Sequence, residues 1–226
     1  MSKARATLKI TGVTLLAAIL APGIYEGIKL RQAHGKLDSV FAPYRTAEAK
    51  TNPEVLAWAD LTPRQQEMLL QIEDPGFFDH KGVDITTKGA GLTSITQAVA
   101  KKLFFDDFKP GFAKLEQTLI ARYVITPNVD KKSQLTAFLN VVYLGNHQGE
   151  PVYGFGDGAQ VYFGKSVPDL ADDEFMRLTG ALIAPKAYPP IAGNEKSDAR
   201  LARLKKLTAG ECVPQGVTDV TLEVCK

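Results

Sequence analysis

The first 25 residues of this 226-residue chain contain no aspartate or glutamate. Residues 10–25, ITGVTLLAAILAPGIY, carry no charge of either sign, which excludes an ordinary solvated surface segment there. Lys3, Arg5 and Lys9 precede this run; Lys29 and Arg31 follow it, with Glu26 between. With Ala6 and Leu8 the run approaches the ~20 residues that span hydrocarbon, provided Lys9 snorkels. A cleaved signal peptide is the rival reading, but Pro22 follows Ala21 and Ile19 stands two places before it, which makes a poor cleavage site. The expectation is an uncleaved anchor over residues 1–28. By the positive-inside rule its N-terminus is cytoplasmic and the rest of the chain lies on the periplasmic or extracytoplasmic side of the cytoplasmic membrane.

Cysteine is scarce. Cys212 and Cys225 are the only two, at a spacing that suits no common zinc pattern. A disulfide between them would pin a tail over residues 210–226, stabilising by about 3 kcal/mol in the loop-entropy model, and it agrees with the oxidising side of a membrane. The net charge of +2 is too small to argue for nucleic acid. No convincing alternating strand and no internal repeat are present, so the chain reads as mainly α.

Residues 29–54 are mixed and polar and read as a linker or stalk, or as a first surface helix. The domain proper then runs over 55–209. LTPRQQEMLLQIED begins it as a helix with Thr62 as N-cap, Pro63 in the first turn and Gln65 closing a capping box. Its buried stripe is Met68, Leu69 and Ile72, and it stops at Asp74 before Pro75-Gly76. A helix starting near Thr93 would bury Leu92, Ile95, Val99 and Leu103. Another, FAKLEQTLIARYVI, would bury Leu115, Leu119, Ile120 and Tyr123. KSQLTAFLNVVYLG, DDEFMRLTGALIA and SDARLARLKKLTAG complete the helices, the last closed by Gly210.

Three constellations carry chemistry. Glu73 ends a helix, where carbonyl dipoles disfavour negative charge. If Phe77 and Phe78 fold over it, desolvation also raises its proton affinity, as a general base for a hydroxyl requires. GLTSITQAVAKK places Thr93, Ser94, Thr96 and Gln97 in a first helical turn ahead of Lys101 and Lys102, a setting for phosphate oxygens. Glu116, after a loop bearing Lys109 and Lys114, is a second carboxylate on a separate element.

Taken in order, these pieces resemble the peptidoglycan glycosyltransferases, glycosyltransferase family 51. That family's Glu-Asp-x-x-Phe-x-x-His-x-Gly is complete as Glu73, Asp74, Phe77, His80 and Gly82. Its Gly-x-Ser-Thr-Ile-Thr-Gln-Gln appears as GLTSITQA, with Ser and Thr exchanged and Ala98 in the last place. FLNVVYLG, carrying Asn140 and Tyr143, matches Tyr-Leu-Asn-x-x-Tyr-x-Gly; Tyr162 to Lys165 and APKAYPP match two further motifs. The resemblance covers roughly residues 55–207. A single span without a transpeptidase domain resembles the monofunctional members.

The resemblance implies a lysozyme-like α fold that polymerises lipid II into glycan strands by β-1,4 transfer, releasing undecaprenyl pyrophosphate. Its expected partners are lipid II, the lipid-linked glycan strand, the cytoplasmic membrane and other cell-wall synthesis proteins, and not nucleic acid. Glu73 would be the base and Glu116 would assist at the pyrophosphate, directly or through Mg²⁺ or Mn²⁺. Thr93, Ser94, Thr96, Gln97 and Lys101 would line the donor site, with Asp74, Phe77, His80, Gly82, Asn140 and Tyr143 as further substrate contacts. The sequence departs from the third motif, Arg-Lys-x-x-Glu, by having Phe112 and Ala113 where the cations belong, leaving Lys109 or Lys114 to replace them. Thr136 stands where the fourth motif usually has glutamate. An inactive lipid II or cell-wall binding scaffold and a lysozyme-like hydrolase are the competing readings.

Overall fold

Thr62 caps the first helix of the domain as its sequence requires. Its hydroxyl accepts from the Gln65 N–H at 3.2 Å, and the Gln65 side chain accepts from the Thr62 N–H at 3.0 Å. The structure is a computed structural model that describes residues 2–226, with side chains described from residue 21. Its longer helices are α1 (Ser2–Phe41), α2 (Pro63–Glu73), α3 (Ile95–Phe104), α4 (Phe112–Ile120), α5 (Lys131–Val141), α6 (Phe155–Phe163), α7 (Asp172–Ala181) and α8 (Glu195–Thr208). The mainly helical reading holds. α5 is the central element: Ser133 through Leu139 are all buried along it. It packs against α3, while α2 packs against α7 and α8, and α8 lies along α7.

The hydrophobic core joins Met68, Leu69 and Ile72 of α2 to Ile95 and Val99 of α3, Leu135 and Phe138 of α5, and Phe175 and Leu178 of α7. The α2 stripe is the expected one. In α3, Ile95 and Val99 are buried as expected, but the helix begins at Ile95 on an N-cap at Ser94, so Leu92 lies before it and is exposed, and Leu103 is only partly buried. α4 is rotated from the expected face: Leu115 and Tyr123 are exposed, and Gln117, Ile120 and Val124 are buried. Directly after α4 the chain widens into a π-helical turn, Ala121–Ile125, before a short turn at Thr126–Asn128. A π turn holds an extra residue, and a strict 3.6-residue stripe read through it loses register.

One pair of strands was not expected. β1 (Tyr143–His147) and β2 (Glu150–Tyr153) form an antiparallel hairpin, closed by Gln148 and Gly149, both at positive φ. The helical pattern of α5 ends at Val142, which turns to extended backbone. The strands are too short, and too rich in Gly and Pro, to show alternation.

Of the two readings of residues 29–54, the helix holds as far as Phe41 and the stalk does not: Ala33, Leu37 and Phe41 of α1 and Ala49 are buried against the body. The apolar stretch 10–25 falls for the most part outside the residues whose side chains are described. Among the described residues no helix is long and apolar enough to cross a membrane.

Candidate active site

Glu73 is the last residue of α2 and opens into a cleft of about 470 Å³. The cleft is bounded by Gly89–Thr93, by Lys101 and Lys102 of α3, by Tyr143 of β1, by Leu182 and Ile183 after α7, and by Arg200 of α8. Glu73 has no hydrogen bond from any described side chain or amide. Burial pushes its carboxyl up to about 7; the neighbouring Asp74 charge adds to the rise and the Arg200 guanidinium opposes it. Desolvation therefore dominates, but its source is not an aromatic lid. Phe77 is fully buried in the core, and Phe78 is half-exposed beside it, ring edge to face at 5.4 Å. The apolar walls next to Glu73 are Ile72, Leu182 and Ile183.

Asp74 turns the other way. It is fully buried and accepts from the Ile95 N–H and from His80 Nε2, each at 3.0 Å. His80 Nδ1 accepts the Gly82 N–H at 3.0 Å, which makes Nε2 the protonated nitrogen and the donor to Asp74. Gly82 sits at φ 87°, and a Cβ there would come within 2.6 Å of the Ala121 carbonyl. Lys131 of α5 closes the turn from below, donating to the Phe77 and His80 carbonyls at 2.6 and 2.9 Å. Asp74, Phe77, His80 and Gly82 thus hold the turn in place instead of facing a ligand. What they position is Glu73.

The start of α3 is likewise used up internally. Ser94 is the N-cap in a reciprocal box with Gln97, and its hydroxyl donates to the Gly82 carbonyl at 2.7 Å. Thr96 donates to Gln134 at 2.7 Å and the Gln97 amide to Thr118 at 2.9 Å, all of them buried or nearly so. Of the expected donor-site residues, Thr93 and Lys101 line the cleft and Ser94, Thr96 and Gln97 do not. Asn140 is also structural: its amide donates to the Leu56 and Thr136 carbonyls at 2.9 and 2.7 Å, away from the cleft. Tyr143 is in the cleft wall, as expected.

The cations resolve clearly. Lys109 is exposed and pairs with Asp107 at 3.0 Å. Lys114 donates to the Thr93 hydroxyl at 2.7 Å at the cleft margin, and burial and Lys101 pull its pKa down. Lys102, expected with Lys101 in the setting for phosphate oxygens, lines the cleft over the Tyr153 ring at 4.6 Å; burial and Lys101 lower its pKa as well. Arg200 was missed altogether. Its only sequence signal is an arginine in a run of alternating charged and apolar residues, and nothing there marks it as 3% exposed.

Glu116 is not across the cleft from Glu73. It faces α1, 3.9 Å from Lys29, in a separate small cavity with Lys36 and Phe104. The face of α4 that presents Lys114 to Thr93 carries Thr118 one turn later, against Gln97. Arg-Lys-x-x-Glu spaces its first cation and its glutamate by four residues, which is one turn. On this face the pair at that spacing is Lys114 and Thr118. Phe112 and Glu116, which occupy the motif's places in sequence, lie two residues away and about 200° around the helix.

A divalent cation held by protein side chains does not fit this donor set. Glu73 is the single carboxylate among the lining residues, beside Lys101, Lys102 and Arg200. Among the described residues no group of three or more His, Cys, Asp or Glu is arranged to hold a metal. The expected disulfide is present: Cys212 and Cys225 are joined, with Cα atoms 5.6 Å apart.

The transglycosylase family model matches residues 40–208. Penicillin-binding protein 1A of Neisseria lactamica is 31% identical over 183 residues, covering 74% of this chain and 21% of that protein. Penicillin-binding protein 1A of Neisseria flavescens is 33% identical over 150 residues, 61% and 18% of the two chains. The Pseudomonas aeruginosa protein of the same name is 29% identical over 197 residues, 80% and 22%. The chain spans about a fifth of the length of the curated relatives it matches.

Proposed function

This chain belongs to the transglycosylase family, and from that premise we propose that it is a peptidoglycan glycosyltransferase that extends glycan strands from lipid II. The observation that carries the proposal is a single carboxylate, Glu73, with its pKa pushed up to about 7, in a largely apolar cleft whose other charged lining groups are the cations Lys101, Lys102 and Arg200. A base poised near 7 takes a hydroxyl proton efficiently at physiological pH. Cations favour a pyrophosphate leaving group.

The chemistry follows from that layout. The Glu73 carboxylate takes the proton of the acceptor 4-hydroxyl as its oxygen attacks the anomeric carbon of the lipid-linked donor. The bond from that carbon to the pyrophosphate oxygen breaks, and the leaving group keeps the electron pair. Lys101, Lys102 and Lys114, on the α3–α4 side, are the groups available to meet that developing charge. No step is assigned to Glu116 or to a metal. Tethering beside the bilayer, through the apolar stretch at 10–25, would keep the enzyme where both lipid-linked substrates are. Exposed Phe112 and Leu115 on α4 suit the same face.

A hydrolase reading needs two opposed carboxylates flanking the scissile bond, and the cleft lining supplies one. The scaffold reading is favoured by one observation, namely Phe112 and Ala113 standing where the third motif has its cations, with Glu116 turned toward Lys29. Purified protein incubated with labelled lipid II in detergent decides between them. Polymer that disappears in Glu73→Gln supports the transferase. Tight lipid II binding without polymer, unaffected by Glu73→Gln while another family member polymerises in parallel, supports the scaffold.

A further inference from the structure

The disulfide loop lies outside the family-matched residues, yet it forms part of the cleft wall. The Gly89 N–H donates to the Gly216 carbonyl at 2.9 Å and the Gly91 N–H to the Val217 carbonyl at 2.8 Å. Both glycines have positive φ, and the approach is close. A Cβ on Gly89 would lie 2.7 Å from Pro214, and one on Gly91 would lie 2.9 Å from Val220. Val220 itself lines the cleft beside Gly91 and Thr93.

Arg200 ties this loop to the helical body. Its Nε donates to the Gly180 carbonyl at the end of α7, and its Nη1 to the Val220 carbonyl in the loop, each at 2.9 Å. One turn along α8, Arg203 holds Glu223 at 3.0 Å. Inside the loop Asp219 accepts from the Gln215 and Glu223 amides, both at 3.1 Å. Apart from the short turn Glu223–Cys225 the segment has no regular structure, so its shape rests on these ties and on the crosslink.

We propose that the disulfide-closed loop 212–225 is a positioning element of the cleft, fixing the Gly89–Gly91 turn and seating Arg200 in the wall shared with Glu73. The proposal deepens the transferase reading and rests on it for its kinetic consequence, but not for its structural one. Opening the disulfide frees the loop from its crosslinked end. The Gly89–Gly91 turn then loses its two acceptors, while the interior of α3 keeps its own hydrogen bonds.

The test uses the folded, oxidised protein treated with dithiothreitol. That dithiol supplies two electrons and two protons, giving two cysteine thiols and leaving itself as a cyclic disulfide. Amide exchange is then read residue by residue. The amides of Gly89 and Gly91 are expected to lose protection, and those of Val99 and Ala100 in α3 to keep it. The same pattern is expected in a Cys212→Ser/Cys225→Ser variant. Unchanged exchange at the two glycines overturns the proposal. So does an equal loss of protection throughout the body, which would make the disulfide a general staple. In lipid II turnover the reduced protein is expected to show a raised KM with kcat largely retained. If the oxidised protein turns over no lipid II, the functional reading fails while the exchange result still decides this one.

Discussion

Glu73 faces the cleft without a hydrogen bond from the described residues, whereas Asp74, next in the chain, is fully buried and accepts from Ile95 and His80. The same division runs through the second motif. Thr93 and Lys101 reach the cleft, while Ser94, Thr96 and Gln97 are occupied with capping and packing. The difference teaches how such a motif is built. A desolvated carboxylate with unmet hydrogen-bonding capacity costs stability, and it persists only where saturated neighbours over-determine its position. Most of what looks like a substrate-binding signature is the frame that holds one reactive group.

The two classes should therefore respond in opposite ways to substitution. Glu73→Gln is expected to lower kcat for lipid II polymerisation by about 10²–10⁴-fold, with no loss of thermal stability in a melting experiment. Lys114→Met removes a cation from the cleft margin and should cost on the order of 10² in rate, while Lys109→Met, exposed and distant, should cost nothing measurable in the same assay. Asp74→Asn should instead act on the fold, lowering unfolding free energy by about 1–3 kcal/mol in urea titration.

The pH dependence sharpens the same contrast. With Glu73 pushed up to about 7, kcat/KM should fall as pH drops through that value, because a protonated carboxyl cannot take the hydroxyl proton. Its effect on stability has the opposite sense. Between about 4.5 and 7 the folded state holds a proton that the unfolded state has released, so this group's contribution weakens as pH rises through that window. Glu73→Gln should flatten both curves. The smallest effect is expected of Glu116→Gln: no change in kcat, and a stability change within the 0–1 kcal/mol typical of a solvent-accessible ion pair. A rate loss there as large as that of Glu73→Gln would put Glu116 back into the reaction.

The sequence carried the start of α2, its buried stripe, its stop before Pro75-Gly76, the helical class and the disulfide pairing, and all of these are found. Each is a short-range matter. A capping box, a helix breaker and the presence of only two cysteines need no knowledge of distant residues. Glu73 was legible for the same reason, as a carboxylate at a helix end. The β-hairpin, the rotation of α4 and the fate of Glu116 were not. Glu116 is the single acidic residue in that helix, so residue type favoured it, yet direction around the helix decides what a side chain can reach.

By itself the amino-acid sequence determined most of the domain's helices, α6 excepted, where α2 ends and which carboxylate stands at that end, because capping, periodicity and backbone restriction act within a few residues. Only the tertiary structure decided that Asp74 is a strut and Glu73 a candidate base, that Lys102, Lys114 and Arg200 are the cations around it, and that the loop 212–225 walls the cleft. Those outcomes depend on which helix faces crowd out water around Glu73 and which amides reach Asp74 first. Both are set by the packing of α2, α3, α5 and α8, elements separated by up to more than a hundred residues in the chain.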